Sequence, residues 1–259
     1  MQIIIPMSGH SRRFKKAGYK EPKPFIMING KPMIQHVCSM FSPNDNFVFV
    51  CNKEHLDVAS YKHILSNIVK NFKIIAIDPH EYGPVHSVLQ AENAIDPDQP
   101  IIMTYCDFMM RWNYKQFCAS VSKYEGAIAV FKGFHPASFG NTFYAYLKAN
   151  KKLEMEALRE KQSFTDNRVN EFASTGLYYL ANWDLFKRYA IELLEKKDKV
   201  AEEYYCSLIY NYLVRDGLKV SLFEVQNFIC WGTPEDLEEY KFWSNYFHLH
   251  ANQIMEKPL

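Results

Sequence analysis

Two cations and a carboxylate stand where phosphate chemistry would need them. Arg13 ends a loop of small and basic residues, Met7-Ser8-Gly9-His10-Ser11-Arg12-Arg13, and Lys23 lies between Pro22 and Pro24. Residues as small as Ser8, Gly9 and Ser11 let backbone N–H groups approach phosphate oxygens closely. Prolines on both sides of Lys23 restrict the backbone, so its ammonium is aimed with little ordering cost. Attack on the α-phosphate of a nucleoside triphosphate builds charge on equatorial and leaving oxygens, and fixed cations stabilise that charge. Asp107 closes the apolar run Pro100–Tyr105, next to Cys106. A carboxylate there is costly to bury without a partner, and capping a following helix is one way to find it.

The elements that must position these residues alternate between strand and helix. Gln2–Pro6, Asn46–Cys51, Phe72–Asp78, Pro100–Tyr105 and Ala127–Phe131 are short apolar or β-branched runs. Between them, Lys31–Phe41, Glu54–Val69, Pro84–Ile95 and Asn113–Lys123 carry helical spacing. Strands separated by helices of about a dozen residues imply right-handed crossovers, and hence an α/β, doubly wound, mostly parallel mixed sheet. Ligands in such sheets sit beyond the carboxyl ends of the strands. Met7–Pro24, Asp78–Gly83 and Cys106–Arg111 all follow expected strands, which places one site there. Further on, Phe143–Lys148 and Lys152–Leu158 read as a hairpin, and Arg159–Glu171 as a mobile polar loop. Phe172–Leu180 and Lys219–Glu224 read as strands, with helices at Trp183–Leu194 and Glu202–Val214. Thr233, Pro234 and Asp236 read as the capped start of a last helix.

Composition bounds the partners. The 259 residues carry 30 basic and 29 acidic side chains, a formal charge of +1, which removes any global electrostatic case for nucleic acid or an anionic membrane. The six cysteines form no CxxC pair and no zinc spacing, as reduced buried cysteines do not. His10, His36, His80, His86 and His135 show no zinc spacing either; His10 and His80 fall in candidate ligand loops. No run approaches the ~20 apolar residues that span a bilayer, and the N-terminus has no basic leader, so a cytoplasmic protein is expected. With 17 Tyr and 19 Phe the chain is rich in aromatics. Those at Tyr240, Phe242, Trp243, Tyr246 and Phe247 suit either a homodimer face or packing on their own domain.

The stretch Ile3–Met33 resembles the signature of the sugar-phosphate nucleotidyltransferases and related cytidylyltransferases of the NTP transferase superfamily. In that signature a strand is followed by G-x-G-x-R, P-K-P and G-K-P-M-I. Here the elements are Gly9, Ser11 and Arg13, then Pro22-Lys23-Pro24, then Gly30-Lys31-Pro32-Met33-Ile34. The resemblance implies a Rossmann-like, glycosyltransferase-A-like nucleotidyltransferase fold and a single domain over 1–259. Within it, 1–135 would bind the NTP, 136–227 the acceptor, and 228–259 would form a C-terminal helix. It also implies Arg13 and Lys23 as catalytic cations and Mg²⁺ on Asp107. The nucleotide would lie against Met7, Ser8, Gly9, His10, Ser11, Asp78, Gly83 and Cys106, with Asp78–Gly83 reading the base. Arg159-Glu160-Lys161 resembles the family's E-K-P element, and with Glu171 and Gly176 it implies an acceptor site.

Two departures from the pattern bear on mechanism. The second loop glycine is Ser11, which would be strained if the position needs positive φ. The aspartate that often serves a second metal, two residues before Gly232, is Cys230, a poor magnesium ligand. Glu171 and Glu224 are then the candidate replacements. The expected reaction is in-line transfer from an NTP to a phosphorylated small acceptor with release of pyrophosphate. CTP is favoured over UTP or dTTP, with a sugar 1-phosphate or a phosphocholine- or phosphoglutamine-like acceptor, in a capsule or cell-surface glycan setting. The rival readings are a nucleotide-sugar glycosyltransferase, which would normally show D-x-D where this chain has a single Asp, and an inactive nucleotide-binding paralogue.

Overall fold

Eight-residue and shorter apolar runs supply most of the strands. In chain order these are β1 (Gln2–Met7), β2 (Met27–Ile28), β3 (Lys31–Pro32), β4 (Asn46–Asn52), β5 (Phe72–Ile77), β6 (Ile101–Thr104) and β7 (Phe108–Arg111), then β8 (Gly126–Phe131), β9 (Ala145–Ala149), β10 (Met155–Glu160), β11 (Phe172–Leu180), β12 (Val220–Glu224) and β13 (Asn227–Cys230). The α-helices are α1 (Arg12–Lys16), α2 (Met33–Cys38), α3 (Lys53–Leu56), α4 (Ala59–Ile68), α5 (Pro84–Leu89), α6 (Tyr114–Val121), α7 (Trp183–Glu195), α8 (Ile209–Arg215) and α9 (Pro234–Met255). The structure is a computed structural model that describes residues 1–133, 135 and 144–255.

Among the described residues nine strands form one mixed sheet, with the path β10-β9-β11-β6-β1-β4-β5 and with β8 and β12 continuing from β11. The expected parallel pairing is confined to β6-β1-β4-β5 and to β8-β12. β11 runs antiparallel to β6, β8 and β9, and β9 to β10. From β1 the chain moves outward to β4 and β5, then returns to add β6 on β1's other side. That reversal opens a crevice at the carboxyl ends of β1 and β6. Each face of the sheet carries its own core: Ile4, Val48, Ile101 and Ile128 lie on one side, and Ile3, Ile5, Phe47, Phe49 and Ile102 on the other. The alternation of Ile3, Ile4 and Ile5 between the two cores is what a strand buried on both faces requires.

Several expected elements are divided or shortened. Lys31 and Pro32 pair with Met27 and Ile28 in a small hairpin, and the following helix starts only at Met33. The helix expected over Glu54–Val69 is two, broken where Val58 takes an extended backbone. α5 stops at Leu89 and gives way to a 3-10 turn at Glu92–Ala94. Helix does not begin at Glu202 but at the 3-10 turn Cys206–Leu208 that leads into α8, because Ala201 and Glu202 have positive φ. The hairpin of β9 and β10 is present over Ala145–Glu160, while Phe143 lies outside the described residues. Arg159–Glu171 is not a free loop. Arg159 and Glu160 end β10, and Glu171 accepts hydrogen bonds from Phe164 N, Thr165 N and Thr165 Oγ1, which folds the segment back on itself. β13 has no counterpart in the sequence reading. It pairs with β7 and brings Cys230 beside Phe108, so Asp107 precedes a strand and caps no helix.

Candidate active site

Two adjoining cavities occupy the crevice. The first, about 350 Å³, is walled by the loop after β1, Lys23, the 80–87 segment, and Tyr105-Cys106-Asp107. The second, about 920 Å³, extends from Arg13 and Asp107 across Tyr144, Glu160, Lys161, Ser174–Gly176, Tyr178 and the start of α9. Arg13, Tyr105, Asp107, Glu203, Tyr205 and Gly232 line both, so a ligand in one can touch a ligand in the other.

Lys23 and Asp107 form the floor. Lys23 Nζ lies 2.5 Å from Asp107 Oδ2, with each side chain one-fifth exposed. Burial works against the Lys23 charge, but Asp107 and then Cys106 outweigh it and hold the ammonium's pKa above the ordinary value. Ser11 explains how Lys23 is held. Its backbone sits at φ 56°, in the left-handed region, and its Oγ accepts the Lys23 N–H at 2.9 Å. A glycine would relieve the backbone strain but would lose this bond. Arg13, on the exposed face of α1, accepts from Ala17 N through its carbonyl, while its guanidinium makes no hydrogen bond or ion pair among the described residues. Arg12 points outward, where it pairs with Glu81 across the mouth of the first cavity.

The second carboxylate facing Asp107 is neither Glu171 nor Glu224. A Cβ placed on Gly232 would stand 3.4 Å from Asp107 Oδ2 and 4.0 Å from Asp236 Oδ2, so the two carboxylates converge over this glycine. Burial raises the Asp236 pKa, and the negative charge of Asp107 adds to it. Asp236 also forms the expected reciprocal cap: Asp236 N donates to Thr233 Oγ1 at 3.1 Å, and Thr233 N donates to Asp236 Oδ2 at 3.2 Å. Its capping role was legible in the sequence; its approach to Asp107 depends on the β7–β13 pairing. Cys230 Sγ accepts from Gly232 N at 3.3 Å, and burial pushes its thiol up to about 12, so it stays protonated beside the two carboxylates. Among the described residues no group of three or more His, Cys, Asp or Glu could form a protein-only metal cage. Two convergent carboxylates do fit a magnesium ion, which is usually held by one or two carboxylates together with phosphate oxygens and water.

The remaining expected site residues divide. Met7, Ser8, Gly9, Ser11, Gly83 and Cys106 line the first cavity. Glu160, Lys161 and Gly176 line the second. His10 and Asp78 line neither; Asp78 is 82% exposed and pairs with Lys53 at 2.9 Å. Glu171 is also absent from both walls, because its carboxylate is taken up by the backbone of the 164–165 turn. Gly83 and Gly176 are needed for reasons other than ligand approach. At Gly83 (φ 90°) a Cβ would meet Tyr204 N at 2.7 Å, and at Gly176 (φ 94°) it would meet the Tyr105 ring at 2.8 Å.

Lys161 donates to Tyr205 Oη and lies over its ring, while Glu160 accepts from Ser207 Oγ. Burial is the main reason the Glu160 carboxyl titrates above its usual range. Glu203, Tyr205, Tyr178 and Tyr144 were missed in the sequence because nothing in their local spacing marks them. Tertiary packing alone brings them to the wall.

The strand order and the crevice at β1 and β6 define a nucleotide-binding α/β architecture with a cationic, carboxylate-bearing floor. The chain belongs to the MobA-like NTP transferase domain family, whose model matches residues 3–167. It is 28% identical over 184 residues to the bifunctional protein GlmU of Methanococcus maripaludis (strain C7 / ATCC BAA-1331), an alignment over 70% of this chain and 40% of that protein. The chain thus spans about two fifths of the length of the curated relatives it matches. The fold matches the nucleoside-diphosphate-sugar pyrophosphorylase from Vibrio cholerae RC9 with a TM-score of 0.76 at 21% identity, covering 92% of this chain and 99% of that one. It matches the inositol-1-phosphate CTP transferase from T. maritima with a TM-score of 0.69 at 16% identity, covering 95% and 96%. No helix among the described residues is long and apolar enough to cross a membrane.

Proposed function

We propose that this NTP transferase moves a nucleoside monophosphate from an NTP onto a phosphorylated small acceptor and releases pyrophosphate. The observation that carries the reading is the junction of two cavities at Arg13 and Asp107, with Lys23 held against Asp107 on the side of the first. The NTP occupies the first cavity, with its base toward the 80–87 segment and its phosphates toward Arg13 and Lys23. The acceptor occupies the second. Its phosphate is ionised at neutral pH, so no general base is needed, and attack proceeds in line on the α-phosphorus. Arg13 and Lys23 are positioned to stabilise charge on the transferring group and on departing pyrophosphate. Asp107, with Asp236 opposite, would hold Mg²⁺, which supplies charge neutralisation on phosphate oxygens.

CTP is the first nucleotide to test, ahead of UTP and dTTP; a protein of similar fold is named as a CTP transferase and others as sugar pyrophosphorylases. For the acceptor, the wall of Glu160, Glu203 and Tyr205 beside Lys161 suits a phosphorylated molecule that also carries hydrogen-bond donors or a positive charge. A sugar 1-phosphate or a phosphocholine- or phosphoglutamine-like compound is the candidate, in keeping with a cytoplasmic role in capsule or surface-glycan synthesis. The test is pyrophosphate release with Mg²⁺ from CTP, UTP, dTTP, ATP and GTP against a panel of such acceptors. Release with one pair, lost in Asp107→Ala, supports the reading. No release from any pair and no nucleotide binding by thermal shift would overturn it.

A further inference from the structure

The wall of the first cavity contains a chain of hydrogen bonds anchored at one end by a backbone donor. Tyr82 N lies 3.2 Å from His80 Nδ1, and a backbone N–H can only donate, so Nδ1 is the unprotonated ring nitrogen. The neutral ring therefore carries its proton on Nε2, 3.0 Å from Ser87 Oγ, and donates there. Ser87 Oγ lies 2.8 Å from Ser8 Oγ. Either hydroxyl can donate across this contact; in the arrangement that uses both the acceptor and the donor of Ser87, it accepts from His80 and gives its own proton to Ser8. Ser8 Oγ makes no other hydrogen bond among the described residues, so its proton is left over. Both hydroxyls are buried, Ser87 at 2% and Ser8 at 4% exposure, and both residues line the cavity. A buried hydroxyl proton with no acceptor is costly, and an acceptor in the cavity removes that cost.

We infer that His80 and Ser87 are positioning residues that aim the Ser8 hydroxyl proton at a hydrogen-bond acceptor, a carbonyl oxygen or ring nitrogen, on the edge of the bound nucleobase. The inference rests on the nucleotide reading of the first cavity. The relay consists of neutral groups: His80 and Ser87 come from the β5–α5 side and hold Ser8, directly after β1, toward that side of the cavity. Arg13 and Lys23, which draw phosphate, hang from α1 and the Pro-Lys-Pro segment, and Lys23 is engaged with Asp107. Burial, then His86 and His10, lower the His80 pKa, which favours the neutral ring that the relay requires. A base presenting only a donor at this point would leave the Ser8 proton unsatisfied, so the relay selects as well as binds.

Calorimetric titration of the full chain with CTP, UTP and inorganic tripolyphosphate tests the assignment. Ser8→Ala is expected to weaken CTP or UTP about ten-fold, the size of one hydrogen bond, and to leave tripolyphosphate within two-fold. His80→Leu and Ser87→Ala should each weaken the nucleotide about three-fold. Neither should add to the loss when combined with Ser8→Ala, because both act through that hydroxyl. His80→Gln, which keeps a donor toward Ser87, should recover the loss of His80→Leu; melting temperatures identify any variant that fails to fold, and Ser87→Ala then carries the comparison. Losses that multiply in the double variants, or an equal loss for tripolyphosphate, would overturn the relay while leaving nucleotide binding intact. No binding of any nucleotide by the unaltered chain would instead overturn the underlying reading, and the base assignment with it.

Discussion

The smaller cavity takes its wall almost entirely from residues up to Asp107, joined by Glu203, Tyr205 and Gly232. The larger one takes its wall from residues beyond Asp107, apart from Arg13, Tyr105 and Asp107 itself. Their chemistry differs as sharply. Arg13 and Lys23 with Asp107 and Glu203 line the first, whose mouth carries the Arg12–Glu81 pair, whereas the second sets Asp107, Glu160, Glu203, Glu235, Asp236 and Glu239 against Arg13 and Lys161. A polyphosphate suits a wall of backbone, hydroxyls and cations; a carboxylate-rich wall suits a ligand that brings hydrogen-bond donors of its own. The division follows the sheet. The first cavity lies at the ends of the parallel strands β1 and β6 and beside the segment after β5, and the second lies over the antiparallel β11, where its pairing with β8 shifts register between Ser174 and Tyr178.

The largest expected effect tests whether the cations are needed for turnover. Lys23→Ala and Arg13→Ala should each lower kcat for pyrophosphate release by about 10²–10³, by analogy with loss of one preorganised donor. Turnover within three-fold of the unaltered chain would remove Lys23 from the chemistry and leave it a partner of Asp107. Next is backbone crowding: Gly83→Ala must sustain positive φ and a contact with Tyr204 N at 2.7 Å. Differential scanning calorimetry should show a loss of about 2 kcal/mol, a drop in Tm of about 4–8 °C. A Tm unchanged within a degree would mean that the Tyr204 segment is free to withdraw.

The third prediction separates the cavities directly. Glu160→Gln should raise the acceptor KM about ten-fold and leave the NTP KM unchanged, since Glu160 lines only the larger cavity. Equal changes in both constants would show that the two compartments are one. The smallest effect concerns Ser11. Ser11→Ala keeps the left-handed strain and loses the bond to Lys23 N, for about 1 kcal/mol in urea unfolding. Ser11→Gly loses the same bond but relieves the strain, so it should fall within about 0.5 kcal/mol of the unaltered chain.

The two cavities were also unequally legible before the fold was known. Ser8, Gly9, Ser11, Arg13, Lys23 and Asp107 were readable because each follows an apolar run or sits between prolines, and such local order survives folding. Asp78, expected against the nucleotide, lies outside the cavity, and His80 and Glu81 line it instead, because a loop's position in sequence does not fix which of its side chains turn inward. Glu171 illustrates the same limit: its carboxylate satisfies backbone N–H groups nearby in the chain instead of facing the cavity.

By itself, the sequence determined the alternation of strands and helices, the phosphate-compatible loop after β1, and the cap of α9 at Thr233 and Asp236. These depend on periodicity, proline restriction and short-range hydrogen bonding, all of which act over a few residues. Only the tertiary structure decided that Asp236 stands opposite Asp107, that Ser8, Ser87 and His80 form one chain, and that Glu160, Glu203 and Tyr205 share a wall. The long-range parts of those juxtapositions, Asp107 with Asp236, Ser8 with Ser87, and Glu160 with the Glu203–Tyr205 segment, come from strand order and packing such as the β7–β13 pairing, where local sequence exerts no constraint.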